Sequence, residues 1–580
     1  MGFVMLQGME ILILQGMEIL MEKNNLFRRK TERHMCTPFK GARTAAKELS
    51  LWMIVFLLAA LLAGCGNAGG GSGEKTELSG EAGAEQSSGS VSTSYPEAAD
   101  NSAQHTREEN AAESVSETGM EASEEDTPAM STAAEPGQIA AEPEQTAAGL
   151  QVIYGDERED SYLPLLEGKR VAVFSNQTGI VGNRMMKTES EETAEETAAE
   201  NEEETAEGIE EETVTEDLIP FGQNADGSPV EYGEHILDAL VRQGVDVTEA
   251  FSPEHGFRGT EDAGAAVNSY VDEKTGVPVI SLYGSGSMYP SDADLDRFDT
   301  LVIDIQDVGL RFYTYYISMY YLMDACAGAG KEVVILDRPN PNGFYVDGPI
   351  LQDGFFSGIG MLPIPVVHGM TLGELAQMIN GEGWLSAGKD ACSLTVVPCE
   401  NYMHDTLTAL VTRPSPNLKD MRAVYLYPST CLFEKTACSV GRGTMHPFEI
   451  FGSPWLEGAE GYEFTFTPED MEGAHSPVFE GQTCYGKDLR GIPLEQILQE
   501  HFNLEYVIDT YNIMKVQNPG ISFFGSPDGA GHYWIDYLCG TDRIRLMIEE
   551  GRSAEEISAS WQEDVEAFKA QRRPYLLYEE

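Results

Sequence analysis

Basic residues are scarce in this chain. Lysine and arginine number 37 in 580 residues against 96 aspartates and glutamates, a formal net charge of −59. A cation shortage on that scale excludes nucleic acid as a partner, because phosphate binding needs clustered Lys and Arg. Cysteine patterns with chemical meaning are missing as well. Seven cysteines fall in the part of the chain expected to fold (Cys326, Cys392, Cys399, Cys431, Cys438, Cys484 and Cys539), an odd number without a CxxC pair. That count supports neither a zinc site nor a complete disulfide framework. Gly284-Ser285-Gly286 lacks the third glycine and the downstream acid of a dinucleotide fingerprint. No GxSxG elbow and no HExxH is present. Neither a cofactor nor a metal is therefore expected.

What is present is unevenly distributed. Residues 66–150 hold 17 acidic side chains against Lys75 and Arg107, and Thr188 to Asp217 holds 15 with no base. Both stretches have too little apolar content to offset the entropy of ordering, so they are expected to be disordered. Ahead of them, basic residues from Lys23 to Lys47 precede the apolar run Leu49 to Ala63, which ends in Leu62-Ala63-Gly64-Cys65. A charged start, a short apolar run and small residues at its end make a secretory signal. The ending resembles a bacterial lipobox, which implies lipidation of Cys65, an extracytoplasmic location and a lipid anchor in the membrane. Residues 1–65 then form the signal, and 66–148 a flexible tether. The near-repeat of LQGMEIL at 6–12 and 14–20 points to an over-extended start, with Met21 or Met35 as alternatives.

From about residue 149 short β-branched runs alternate with helical segments. The runs are Val171–Ser175, Val245–Phe251, Val277–Tyr283, Leu301–Gln306, Val333–Asp337 and Pro365–His368. Expected helices are Tyr232–Gln243, Tyr315–Gly328 and Leu372–Gly381. This alternation predicts an α/β fold, a Rossmann-like open parallel sheet over 149–386 with a disordered acidic insertion at about 187–231. A second α+β domain is expected over 387–580, closing with an amphipathic helix at Ser553–Ala570. Ligands of such sheets bind beyond the carboxyl ends of the strands. The loops there carry Asn176-Gln177-Thr178, Glu254-His255 with Arg258, Asp304 to Asp307 with Arg311, Asp337 to Asn340, and His368.

FSPEHGFRG, LVIDIQDVGLRFYTY, DRPNPNG, VDGPIL, PVVHGMTLGELA, PSPNL and SVGRGT, in this order, resemble the family long labelled DUF1343. Its characterised members are exo-β-N-acetylmuramidases of the NamZ type. The resemblance runs from about Gly149 to the C-terminus and omits the acidic insertion. It implies an active site at the junction of the two domains, and removal of terminal N-acetylmuramic acid from non-reducing ends of peptidoglycan fragments during cell-wall turnover. It places the catalytic acid on Glu254. Lys435 stands where the family more usually has glycine, which puts fine specificity in doubt.

Glycoside hydrolysis generally needs an acid for the leaving oxygen and a second group as base or nucleophile. Asp304 and Asp307 are the candidates for the second group. The substrate's own N-acetyl group is the alternative, and capping of the following helix is a structural role open to either aspartate. His255 is placed to orient Glu254 or to contact a sugar hydroxyl. The lactyl carboxylate of the substrate calls for a guanidinium, from Arg258, Arg311, Arg338 or Arg442. Tyr313, Tyr315 and Tyr402 are candidates for stacking on sugar faces, with core packing as the competing fate. Asn340, His368 and Asn417 are candidate hydroxyl binders. Two rival readings are a non-catalytic muropeptide-binding lipoprotein and an amidase or esterase using His368 with Cys399.

Overall fold

The computed structural model describes residues 151–184, 221, 232–253, 256–257, 269–282 and 288–580, all within one compact unit. The expected signal, lipidation site, tether and acidic insertion lie outside the described residues, as do Glu254, His255 and Arg258.

Seven strands form the main sheet: β1 (Arg170–Phe174), β2 (Asp246–Ser252), β3 (Tyr270–Val271), β4 (Pro278–Ser281), β5 (Thr300–Ile303), β6 (Glu332–Leu336) and β7 (Ser393–Val397). Their order is β3-β4-β2-β1-β5-β6-β7, parallel throughout except for β3, which runs antiparallel on the edge. Without β3 this is the doubly wound order, and the direction of winding reverses between β1 and β5. Val171 to Phe174, Ala250, Phe251 and all of β5 are buried, as expected of strands covered on both faces. Helix Tyr315–Ala329 covers one face and ends at Gly330, whose φ of 66° suits the left-handed cap. Helix Leu372–Gly381 opens with a capping box between Thr371 and Glu374.

Three expectations change. Pro365–His368 is not a strand: only Val367 bridges, to Leu310 and Asp347, and Pro363 and Pro365 have no N–H to offer a ladder. β7 extends the first sheet past residue 387, where the second domain was expected to start. Its alternating burial marks an edge strand with only a weak apolar run. The closing helix is two pieces, Ala554–Ser558 and Gln562–Arg572, separated at Trp561 with its φ of −117°. The rest of the C-terminal region carries a three-stranded antiparallel sheet of β8 (Ile450–Ser453), β9 (Phe464–Phe466) and β10 (Cys484–Asp488), with helices around it. Its core is continuous with one face of the main sheet.

Candidate active site

The loops after β1 and β5 meet where the winding reverses. Asn176 turns back on itself, its Oδ1 accepting from the Thr178 N–H at 3.0 Å and its hydroxyl at 2.6 Å. Thr178 Oγ1 in turn accepts the N–H of Gln306 at 2.9 Å, which joins the two loops. Beyond β2, Pro253 and Phe257 are buried, and the N–H of Gly256 donates to the Pro253 carbonyl at 3.1 Å. Gly256 has a φ of 76°, a conformation that glycine adopts without strain. Pro253 and Gly256, on either side of Glu254 and His255 in sequence, both lie at this edge.

The two aspartates of the β5 loop have different fates. Asp304 is fully buried and bidentate with Arg338, at 2.6 and 2.9 Å. Arg338 also donates to Asp156 at 2.6 Å and to the Ile180 carbonyl at 3.2 Å. Asp304 is committed to this ion network and finds no support as base, whereas Arg338 keeps a buried Nη1 without a partner and lines the small cavity beside Asp307. Asp307 differs. Its Oδ1 accepts the Gly309 N–H at 2.7 Å, while its buried Oδ2 has no hydrogen-bond partner. Burial pushes its pKa up to about 7, against backbone N–H groups of Gly309, Val308 and Tyr316 that favour the charged form. The Tyr316 contact lies in the first turn of helix Tyr315–Ala329, so Asp307 also serves the helix terminus. Asp307, Gln306, Gly309 and Asn340 face a small enclosed cavity of about 10 Å³, enough for one water molecule.

The other candidates are mostly braces. Arg311 is fully buried and donates to the carbonyls of Pro349 and Ile364 at 2.7 Å each and of Leu538 at 2.8 Å. Burial lowers its pKa to about 10, and it ties the first sheet's loops to the C-terminal region instead of meeting a substrate. Tyr313 and Tyr315 both donate to the Pro414 carbonyl, at 2.5 and 2.8 Å, and their buried rings meet edge-on. Tyr402 packs against Tyr578 and bonds the backbone of Asn340. Asn340 spends its amide on Met370 and Asn342, and Asn417 donates to Gly473 at 2.6 Å. His368 is buried, and its Nδ1 accepts the Met370 N–H, which puts the proton on a partnerless Nε2. Burial, then Arg572 and Arg311, bring its pKa down to about 3, so the ring is neutral. Cys399 donates its thiol to the Asp337 carbonyl, and burial raises its pKa well above the ordinary value. A thiol so placed is a poor nucleophile, which removes the basis of the amidase or esterase reading. All seven described cysteines are free and buried. Arg442 keeps some exposure, but its Nε pairs with Glu434 at 2.7 Å.

Reading the sequence missed Asp156, which no motif marks, and His235, whose Nε2 lies 2.7 Å from the Asn176 carbonyl. Both support the edge loops from distant parts of the chain. Gln177 reaches across to the Arg413 carbonyl at 2.9 Å, so the PSPNL loop of the C-terminal half is fastened to the β1 loop.

The family models for the N-terminal and C-terminal parts of exo-β-N-acetylmuramidase NamZ match residues 224–422 and 425–578. The peptidoglycan β-N-acetylmuramidase NamZ of Bacillus subtilis (strain 168) is 38% identical over 349 residues, covering 58% of this chain and 80% of that protein. The chain belongs to the NamZ family. Crystal structures of two DUF1343 family proteins from Bacteroides fragilis NCTC 9343 resemble it, at 45% identity with a TM-score of 0.59 and at 25% with 0.56. Each comparison covers 74% of this chain and the whole of the other. The NamZ models begin downstream of β1, although β1 is the central strand on which the site is built.

Proposed function

We propose that this NamZ-family chain is a glycosidase that releases N-acetylmuramic acid from the non-reducing ends of peptidoglycan fragments, in cell-wall turnover and recycling. One observation about the site carries the reading beyond family membership. Five buried polar atoms without a partner among the described residues, Asn176 Nδ2, Gln177 Oε1, Ser252 Oγ, Gln306 Oε1 and Asp307 Oδ2, lie at or just beyond the carboxyl ends of β1, β2 and β5. Such atoms are costly in a folded interior, and their position beside the winding reversal, where open sheets of this kind take their ligands, supports a site for a polar ligand.

In this reading Glu254 protonates the glycosidic oxygen as the bond to the anomeric carbon breaks. Asp307 is the second group, poised near neutrality to take a proton from the attacking water or to orient the substrate's N-acetyl group. His255 and Arg258 support Glu254. Arg442 is assigned to the lactyl carboxylate because, of the described candidate arginines, it alone keeps exposed guanidinium surface, with Glu434 sharing its charge. The chain works outside the cytoplasm, held to the membrane by a lipid on Cys65.

The decisive experiment compares wild type with Glu254→Gln on an aryl β-N-acetylmuramide. Loss of about 10²–10⁴-fold in kcat with an unchanged unfolding temperature is expected. Wild-type turnover in the variant would remove Glu254 from the mechanism. The anchor is tested separately by labelling cells with an alkyne fatty acid, where Cys65→Ala should lose both label and membrane fraction.

A further inference from the structure

Lys435 has an unusual backbone. Its φ is 56°, in the left-handed region that side chains other than glycine, asparagine and aspartate rarely enter. The neighbours hold it there. The Ala437 N–H donates to the Phe523 carbonyl at 2.7 Å, and the Lys435 carbonyl lies 2.6 Å from where a Cβ on Gly525 would stand. Glycine at 525 is what lets the two loops approach.

This conformation sends the lysine side chain over an aromatic face. Nζ sits 3.8 Å from the ring centre of Trp534. The tryptophan opens the short helix Trp534–Cys539, whose surroundings are braced. Asp528 accepts from the N–H groups of Ala530 and His532 and from the Tyr537 hydroxyl, and Arg545 clasps Asp536 while lying over Tyr533. Lys435 is exposed, and among the described residues its ammonium forms no ion pair. That is notable in a chain with 96 acidic residues and 37 basic ones.

The position connects to the candidate site. Glu434, its neighbour, holds Arg442, whose guanidinium lies over Phe448. Phe448 packs edge-on against Tyr427, and Tyr427 against Phe312 and Tyr313 in the loop that follows Asp307. Buried ring contacts thus link Arg442 to the β5 loop, and Lys435 adjoins Glu434 in sequence; Glu434 neutralises Arg442, while the Lys435 ammonium has no ion pair among the described residues.

We propose that Lys435, laid on Trp534, is a specificity-determining subsite for a carboxylate carried by the glycan. The indole supplies a face for an apolar sugar edge, and the ammonium supplies the charge that a lactyl carboxylate seeks. The proposal rests on the glycosidase reading above. Two sources of that carboxylate share the chemistry: the terminal N-acetylmuramic acid, and a second one further along the glycan.

The test uses the full chain with Lys435→Met and Lys435→Gly. Calorimetry with free N-acetylmuramic acid and with N-acetylglucosamine, which has no lactyl group, reads the subsite without turnover. Kinetics on an aryl β-N-acetylmuramide and on a peptide-free tetrasaccharide with two lactyl groups separate the sources. Both variants should lose affinity for carboxylate-bearing ligands about threefold to tenfold, with the loss shrinking as salt is raised. A KM rise on both substrates assigns the terminal sugar, and a rise on the tetrasaccharide alone assigns the next muramic acid. Lys435→Gly, relieved of its left-handed strain, should keep the wild-type unfolding temperature or exceed it. If both variants retain wild-type KM on both substrates and wild-type preference between the two sugars, the proposal is overturned. It is overturned equally if KM changes appear only together with a lowered unfolding temperature. Failure of wild type to cleave either substrate would instead strike the glycosidase reading.

Discussion

Asp307 keeps its proton to about pH 7 in the folded chain, whereas an unfolded aspartate releases it near 3.8. Between those values the folded state binds more protons than the unfolded state, so ionising Asp307 costs stability as pH rises through that window. The three-unit difference is worth about 4 kcal/mol at most. Asp307→Asn removes the cost. Its unfolding midpoint relative to wild type should therefore improve from pH 4.5 to pH 8, while kcat falls at least about a hundredfold. Parallel midpoints for the two proteins across that range would show that Asp307 is not the desolvated carboxyl described here. Arg311 calls for the opposite experiment. Arg311→Met strands the carbonyls of Pro349, Ile364 and Leu538, at a cost of about 3–5 kcal/mol. The unfolding temperature should drop sharply while the remaining folded enzyme keeps its KM, as a brace requires and a substrate ligand does not.

At the scale of elements, β1 and β5 were legible because each is buried on both faces and reads as one apolar run, VAVF and TLVI. In β2 the apolar signal is weaker, Ala250 and Phe251 lying between buried Glu249 and Ser252. Strand β7 was not legible, because SLTVV lies at an edge and fully buries only Val397. The loops that bear the candidate site were legible through the strand ends they follow. Their inner wiring was not: Arg338 finds Asp156 across 182 positions of chain, and no local pattern encodes that pairing. The same limit hid that Arg311 spends its guanidinium on three backbone carbonyls. Gly309 shows how tightly the β5 loop is fitted. Its φ is 76°, and a Cβ there would stand 2.3 Å from the side-chain amide of Asn340. Gly168 has a φ of 72° and nothing within 4 Å. Gly168→Ala should thus cost only the backbone strain, about 1–2 kcal/mol, whereas Gly309→Ala adds a clash beside Asp307. Chemical denaturation should rank Gly309→Ala as clearly the worse, with activity lost in that variant alone. Equal costs would mean that the Asn340 contact yields freely.

For the whole molecule, the sheet order makes residues 151–184 part of the catalytic fold, although the NamZ family models match only from residue 224. β1 pairs with β2 on one side and β5 on the other, so it closes what would otherwise be two open edges in mid-sheet. Unpaired edges of buried, apolar strands are templates for aggregation. The same segment supplies Asp156, one of two carboxylates on the buried guanidinium of Arg338, and removing one partner from such a network leaves charge uncompensated. Its Gly155 N–H also donates to the Asp337 carbonyl, beside the capping box of helix Leu372–Gly381. A chain beginning at Asn224 should therefore be insoluble or lack a cooperative unfolding transition. One beginning at Gln151 should fold, elute as a compact species and cleave an aryl β-N-acetylmuramide at the wild-type rate. Circular dichroism, size-exclusion chromatography and that assay, run on both truncations, decide the matter. A folded, active protein from Asn224 would mean that the central strand is dispensable, which the β1–β2 and β1–β5 pairings contradict.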